Sequence, residues 1–351
     1  MPIKTPESPN RTMSPPDSTT LQTISDAEEL PPSILGTGVE KRLINRRQIW
    51  AANRFWMEVD NMKTKRYGNR GRHHWQTLLA LMRLFRLCLR LTGCYQRGVQ
   101  NAMDIRLREL ELTFPNLPRN FDGFSILHLS DLHLDGWEGL PETIVETIGD
   151  REVDLCVLTG DYRTKLHGLN KHIMIGLRHL VDHIKSRYGF LGILGNHDDC
   201  HMVNPMEQMG IRMLINSTCL LARERERLQF IGTDDVHYYY TDQALHCLEP
   251  AEREFTIALV HSPELFDLAA AMGVDLYLCG HTHAGQVCLP GGIPLIKHLN
   301  RGHDFYRGHW RHGAMQGVTH AGVGTSGIPV RFNTRGEILI HHLRGQQPAP
   351  P

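Results

Sequence analysis

The sequence predicts an α/β fold organised as a layered sandwich. Two patterns carry that expectation: six short apolar runs of strand length, and amphipathic helical text between them. A third observation indicates where the chemistry lies, because five of the six runs break off in Asp, Asn or His. In order, the runs are FSILHLS (residues 124–130), LCVLTG (155–160), FLGILG (190–195), LQFIGT (228–233), FTIALVHS (255–262) and VDLYLCG (274–280). The clearest helix is NKHIMIGLRHLVDHIKSRYG (170–189), with Ile173, Leu177, Leu180, Val181 and Ile184 at helical spacing. Strands this apolar need cover on both faces, which intervening helices supply.

Ahead of these elements the chain divides by composition. Its 351 residues hold 38 Lys+Arg against 38 Asp+Glu, with 41% hydrophobic and 22% charged residues, which excludes a wholly disordered or collagen-like chain. Residues 1–38, rich in Pro, Ser, Thr and acids, are expected to be a disordered tail, as are residues 346–351. Residues 39–104 read as a basic, amphipathic helical segment: between Lys41 and Gly98 stand 14 Lys/Arg against only Glu58 and Asp60. The zero balance thus averages a basic segment and an acidic remainder. Residues 105–345 are left as the α/β domain.

Within the basic segment, TLLALMRLFRLCLRLTG (77–93) interleaves Leu, Met and Phe with Arg83, Arg86 and Arg90 on one helical face. Three arginines in 17 residues do not suit a membrane span. They suit a helix lying in the bilayer surface, guanidinium groups at the phosphates. The same text fits a helix packed on the domain, or contact with nucleic acid. Trp50, Phe55 and Trp56 upstream fit an interface or a core equally. No run of about 18 uncharged apolar residues occurs, and the first residues lack the apolar region of a signal peptide. The expected location is cytoplasmic, with peripheral attachment to the inner face of a membrane. Eight irregularly spaced cysteines without a C-x-x-C read as free thiols of a reducing compartment.

The first run ends in Asp131-Leu132-His133 and the second in Gly160-Asp161. The third ends in Gly195-Asn196-His197-Asp198, the fifth in His261 and the sixth in Gly280-His281-Thr282-His283. In an open α/β sheet the carboxyl ends of strands converge on one crevice, so these residues are expected to meet. Asp198 aside, two Asp, one Asn and five His make a mixed N/O set without thiolate. That argues against a structural zinc finger and for catalytic Zn, Fe, Mn or Ni. One tetrahedral ion cannot use so many donors. Two ions sharing a carboxylate can, with positions left for water and substrate.

Taken together, the motifs DLH, GD, GNHD, H and GHTH resemble those of the calcineurin-like metallophosphoesterase superfamily, D-x-H, GD, GNH[DE], H and GH-x-H in that order. The resemblance covers about residues 124–343. It implies a layered αββα-type sandwich, a site at the strand carboxyl ends and two divalent metal ions, Mn, Zn or Fe. It further implies Asp131, His133 and His283 around one metal, Asn196, His261 and His281 around the second, and Asp161 between both. His197 would face substrate as acid or electrostatic clamp, and Asp198 would orient a neighbouring group. GDYRTKL departs from the GD-x-x-DRG of calcineurin-type protein phosphatases, with Thr164 and Lys165 in the last D and R places, so that activity is not expected.

GQVCLPGGIPLI (285–296) and GVGTSGIPVRFNTRGEILIHHL (322–343) look like a bacterial membrane-associated branch that includes hydrolases of UDP-2,3-diacylglucosamine. Members often carry an N-terminal transmembrane segment; an arginine-rich amphipathic stretch stands here instead. The expected function is dimetal-dependent hydrolysis of a P–O bond in a phosphorylated small molecule or lipid-linked substrate. Alternatives are a nuclease or nucleotide phosphodiesterase, and a non-catalytic metal-binding scaffold. Among the other histidines, His167, His172, His179, His183, His201 and His246 read as surface residues. Arg307, with His303, His309 and His312, forms a cationic loop that touches substrate or faces solvent. Arg331 fits a place near phosphate or a role in packing the last strand. Asp234, Asp235 and His237 match no motif and read as structural capping.

Overall fold

In the computed structural model, residues 21–22, 46–67, 69–165, 168, 170–248 and 254–346 are described. His167 and nearly all of the two expected tails lie outside them. Within the first tail, β1 (Leu21–Gln22) pairs with a domain strand. Helices α1 (Arg46–Tyr67), α2 (Asn69–Leu91) and α3 (Cys94–Met103) follow. The chain continues through β2 (Arg106–Phe114), β3 (Ser125–Leu129), α4 (Leu140–Ile148), β4 (Glu152–Val153), β5 (Leu155–Leu158) and α5 (Lys171–His183). Next come β6 (Lys185–Ser186), β7 (Phe190–Gly192), α6 (Val203–Gln208), β8 (Ile211–Met213), β9 (Ser217–Arg223) and β10 (Glu226–Gly232). Then α7 (Asp242–His246), β11 (Phe255–Leu259), α8 (Phe266–Ala271), β12 (Leu276–Cys279) and a small hairpin of β13 (Cys288–Leu289) and β14 (Ile293–Pro294). The last strands are β15 (Gly308–His312), β16 (Met315–Thr319) and β17 (Glu337–Gly345).

Two sheets form the sandwich. One runs β2-β17-β3-β5-β7-β8, the other β1-β9-β10-β11-β12-β16-β15. β3, β5, β7 and β8 are parallel to one another, as are β10, β11, β12 and β16, so each sheet directs several carboxyl ends the same way. Strand alternation sorts the side chains. In β3, Ile126 joins the core between the sheets, whereas Leu127 and Leu129 join the core under α4 and α5. Leu228, Phe230, Ile257, Leu276 and Leu278 complete the inter-sheet core from the second sheet. Ala244, Leu265, Ala269 and Trp310 cover that sheet's outer face. Helix, sheet, sheet, helix: this is the α/β sandwich the strand-and-helix pattern calls for.

Buried between the sheets is a group the motifs do not include. His128, His320 and His341 are fully buried. Burial pushes all three imidazoles down, His320 and His341 to about 3, so they are neutral. His128 lies 2.9 Å from Thr159 Oγ1 and 3.3 Å from His341 Nε2.

The basic segment divides into parts with different tasks. Helix α1 is anchored: the Trp50 indole N–H donates to Asp234 Oδ2 at 2.7 Å, and Arg54 Nη1 donates to Asp234 Oδ1 at 2.7 Å. Arg54 also pairs with Glu58 at 3.0 Å, lies over the Tyr239 ring and donates to the main-chain oxygens of Gly195 and Asp198. Phe55 and Trp56 are exposed, Trp56 by 66%. Helix α2 shows three faces. Met82, Phe85 and Leu89 are half-buried, and Met82 lies beside Gly327. Leu81, Leu84, Leu87 and Leu91 form an exposed stripe. Arg83, Arg86 and Arg90 are exposed between these faces, Arg86 and Arg90 over the Tyr95 ring.

Candidate active site

The ends of β3, β5, β7, β11 and β12 bring Asp131, His133, Asp161, Asn196, His197, His261, His281 and His283 into one place. The backbone there is unusual. Asp131, His133, Asp161, His281 and His283 all have φ between 43° and 72°, a left-handed conformation that costs an ordinary L-residue about 1–2 kcal/mol. Main-chain bonds hold them in it: Asp131 N–H donates to Gly160 O (2.9 Å) and His133 N–H to Asp161 O (3.0 Å). Two glycines permit the close approach. Gly160 has φ +90°, and a Cβ on it would strike the Gly195 backbone; a Cβ on Gly280 would strike Ser130 and Asp131.

The donors fall into two groups around Asp161. In the first, His133 Nε2 lies 3.1 Å from His283 Nε2 and 3.9 Å from Asp161 Oδ2, and His283 Nε2 lies 3.4 Å from Asp131 Oδ1. In the second, His261 Nε2 lies 3.4 Å from Asp161 Oδ2, and both it and His281 Nδ1 approach Asn196 Oδ1, at 3.1 and 2.8 Å. Asp131, His133 and His283, and separately Asp161, His261 and His281, are groups able to hold a metal ion.

Carbonyl acceptors orient three of the imidazoles. His133 Nδ1–H donates to Arg163 O (2.9 Å), His261 Nδ1–H to Thr159 O (2.7 Å) and His281 Nε2–H to His298 O (2.9 Å). A carbonyl can only accept, so each ring turns its other nitrogen toward the cluster, as a metal-binding histidine must. Burial pushes His133 down to about 4 and also lowers His281 and His283. Arg331 donates to His283 Nδ1 at 3.4 Å, so the neutral His283 ring carries its proton on Nε2. That Nε2–H donates to the inward lone pair of His133 Nε2 at 3.1 Å, a proton that a bound cation would replace. Burial raises Asp161, but His261 and then His197 outweigh it and hold the carboxyl well below its usual range. Burial pushes Asp131 up to about 6, opposed first by His261. The donor set fits two divalent cations.

The remaining residues surround this centre. His197 Nδ1–H donates to Thr164 O at 2.7 Å, which leaves Nε2 4.0 Å from Asp161 Oδ2. Its side chain is 19% exposed, against 7% or less for His133, His261 and His283, so among these four it is the imidazole that solvent reaches. Asp198 accepts the main-chain N–H groups of Asp161, Tyr162 and Gly195 at 2.7–2.9 Å and ties the second motif to the third. Arg331 is fully buried and donates to the main-chain oxygens of His283, Ala321, Gly322 and Gly324, so it braces the loop behind His283. Arg307 is exposed and lies over Tyr306 beside Gly292. His309 bonds Gln316, and His312 meets the Phe266 ring edge-on. Asp235 does cap the turn after β10, accepting from His237 N and Tyr238 N, but Asp234 also anchors α1. The role of Arg54, which reaches the Asn196 loop from outside the α/β domain, was not legible in the motifs; its one sequence signal is the i,i+4 pairing with Glu58.

Comparison with known proteins bears on the family. The model of the calcineurin-like phosphoesterase family matches residues 124–285. The chain is similar to the uncharacterized metallophosphoesterase YkoQ of Bacillus subtilis, 28% identical over 70% of this chain and 92% of the relative. A second Bacillus subtilis relative, the uncharacterized metallophosphoesterase YkuE, is 28% identical over 65% of this chain and 82% of its own length. Phosphodiesterase YaeI of Escherichia coli is 27% identical over 63% of this chain and 82% of its own length. These matches support the calcineurin-like metallophosphoesterase superfamily and indicate a phosphoesterase hydrolase. Among the described residues, no helix is long and apolar enough to cross a membrane.

Proposed function

We propose that this hydrolase cleaves a phosphodiester or phosphoanhydride P–O bond in a lipid-linked substrate, of the kind of UDP-2,3-diacylglucosamine, at an anionic membrane surface, using two ions drawn from Mn, Zn and Fe. The observation that carries the reaction is the pair of donor groups meeting at Asp161, with the solvent-reached His197 beside it. Two divalent cations, when bound, polarise a phosphoryl oxygen and acidify water. Asp131, His133 and His283 would hold one and Asn196, His261 and His281 the other, with Asp161 common to both. Protonated on both nitrogens, His197 would give its Nε2 proton to the leaving oxygen while its Nδ1–H stays on Thr164 O. Asp198 keeps the Asp161 and Asn196 loops in register through its three main-chain bonds. The Escherichia coli relative is named a phosphodiesterase, which favours a diester over a monoester here.

The exposed leucine stripe of α2 beside Arg83, Arg86 and Arg90 supports a lipid surface as partner. A second apolar element, Leu289, Ile293, Leu295 and Ile296 in and just after the β13–β14 hairpin, is also exposed. At the hairpin's base Gln286 bonds Ser326 O and Ile328 O, and the intervening Gly327 meets Met82 of α2. Arginines and leucines on one surface complement phosphate groups above acyl chains.

The full chain with Mn or Zn is expected to hydrolyse members of a panel of bis-p-nitrophenyl phosphate, nucleotide-diphosphate sugars and phospholipids, and to stop on chelation. Inactivity on the whole panel would sink the hydrolase reading. Each basic group at an anionic surface contributes about 1 kcal/mol. Reversing Arg83, Arg86 and Arg90 to Glu is thus expected to weaken binding to phosphatidylglycerol-containing vesicles at least ~100-fold. Unchanged vesicle binding would remove the membrane part and leave the hydrolase part standing.

A further inference from the structure

A third group of imidazoles stands at one side of the cluster. His237, His281 and His298 each bring a ring nitrogen within 4.8 Å of the other two. Ring centroids are 4.4 Å apart for His237 and His281, 5.0 Å for His237 and His298, and 5.2 Å for His281 and His298. His281 is accounted for, since its Nδ1 faces Asn196 and its Nε2–H donates to His298 O. His237 and His298 belong to neither donor group around Asp161.

His237 is prepared in a specific way. Its side chain is only 6% exposed, and its Nδ1 lies 3.1 Å from Glu264 Oε2. Glu264 is itself fixed, accepting from Asn300 N at 2.6 Å and Ser262 Oγ at 3.4 Å. Both Glu264 oxygens face His237 Nδ1, at 3.2 and 3.1 Å, so the imidazole Nδ1–H donates to the carboxylate. Nε2 is left as the free donor. A carboxylate behind an imidazole is the arrangement that orients metal-binding histidines. His298 has φ 44°, the left-handed conformation it shares with five of the donors around Asp161. Among the described residues, the charged group bonded to this trio is a carboxylate, which favours a cation over an anion.

We infer that His237 and His298 hold a third divalent cation, of the zinc class, at the mouth of the site beside His281. Imidazole is a good donor for zinc. Two such nitrogens on one ion, with bonds of about 2.0–2.1 Å, stand about 3.4 Å apart, within reach of a small adjustment of the exposed His298. Water or an oxygen of bound substrate completes the shell, so this ion is held less tightly than the pair at Asp161. His281 walls the seat and keeps its bond to His298 O.

The test is zinc content per full-length chain after chelator stripping and equilibrium dialysis against graded free zinc. The wild type is expected to take up two ions and then a weaker third. His237→Gln and His298→Gln are expected to weaken the third step at least tenfold and leave the first two in place. The His298 side chain is exposed, so replacing it opens no core, and the melting temperature of the variant checks its fold. His183→Gln is the control, because His179 and His183 on α5 lie 4.2 Å apart, a helix-surface pair that could also take zinc. Saturation of the wild type at two ions overturns the inference. So does a third ion that survives in both site variants, or one lost only in His183→Gln.

Discussion

Asp161→Asn is expected to lower kcat/KM for metal-dependent hydrolysis by at least ~10³-fold, about 4 kcal/mol of transition-state stabilisation. Asp161 Oδ2 is the atom common to both donor groups, 3.9 Å from His133 Nε2 and 3.4 Å from His261 Nε2. Its other oxygen accepts the main-chain N–H of His197 at 2.8 Å. Asparagine keeps the shape and that bond, provided its oxygen faces His197, yet removes the one charge both groups share. The loss should therefore appear in metal content as well as in rate, with fold and thermal stability intact. A variant that keeps two ions and activity within tenfold of wild type would show that Asp161 is not the shared ligand.

Arg54→Met is expected to cost about 3–5 kcal/mol of stability, since removing one partner of a buried ion pair strands the other. Asp234 is buried and its carboxyl is raised by burial, with Arg54 the first group opposing that. The main-chain oxygens of Gly195 and Asp198 lose their donor in the same substitution. For a domain of this size the melting temperature should fall by roughly 10 °C. Adding Asp234→Asn to Arg54→Met should recover a large part of the loss, because the stranded charge is then gone. If Arg54→Met shifts the melting temperature by less than 2 °C (about 1 kcal/mol or less), α1 is not anchored as described.

The catalytic domain was legible in the sequence where chemistry and hydrophobicity coincide. All six apolar runs are strands, and the ends of five converge on the site, because strand length and burial on both faces leave a strong local mark. β2 and β17 left no such mark. RLRELELTF alternates leucines with charges and lies at a sheet edge, while EILIHHLRG inserts between β2 and β3 from the far end of the chain. Pairings over that separation have no local signal. The basic segment was read as a single amphipathic stretch, but it contains a buried anchor, Arg54, and a separate exposed stripe on α2. Charge count could not tell a guanidinium in a core from one facing solvent. His237 was read with its neighbours as capping; the buried Glu264 that orients it is 27 residues away. His128, His320 and His341 went unnoticed, since a histidine buried as a neutral ring looks in sequence like one on a surface.

Backbone conformation and charge make separate demands at the left-handed residue Asp131. Asn and Asp both tolerate φ near 50°, but Asp131 carries a carboxyl that the surrounding protein pushes up to about 6. Asp131→Asn still accepts the His281 N–H, since that bond needs only an oxygen. In chelator-treated protein this variant is expected to be more stable than wild type by about 1 kcal/mol, read as a higher melting temperature, and to be the poorer catalyst. An equal or lower melting temperature would mean that Asp131 does not strain its surroundings. The left-handed turn at Asp131 thus trades stability of the empty fold for a carboxyl held where a cation could use it.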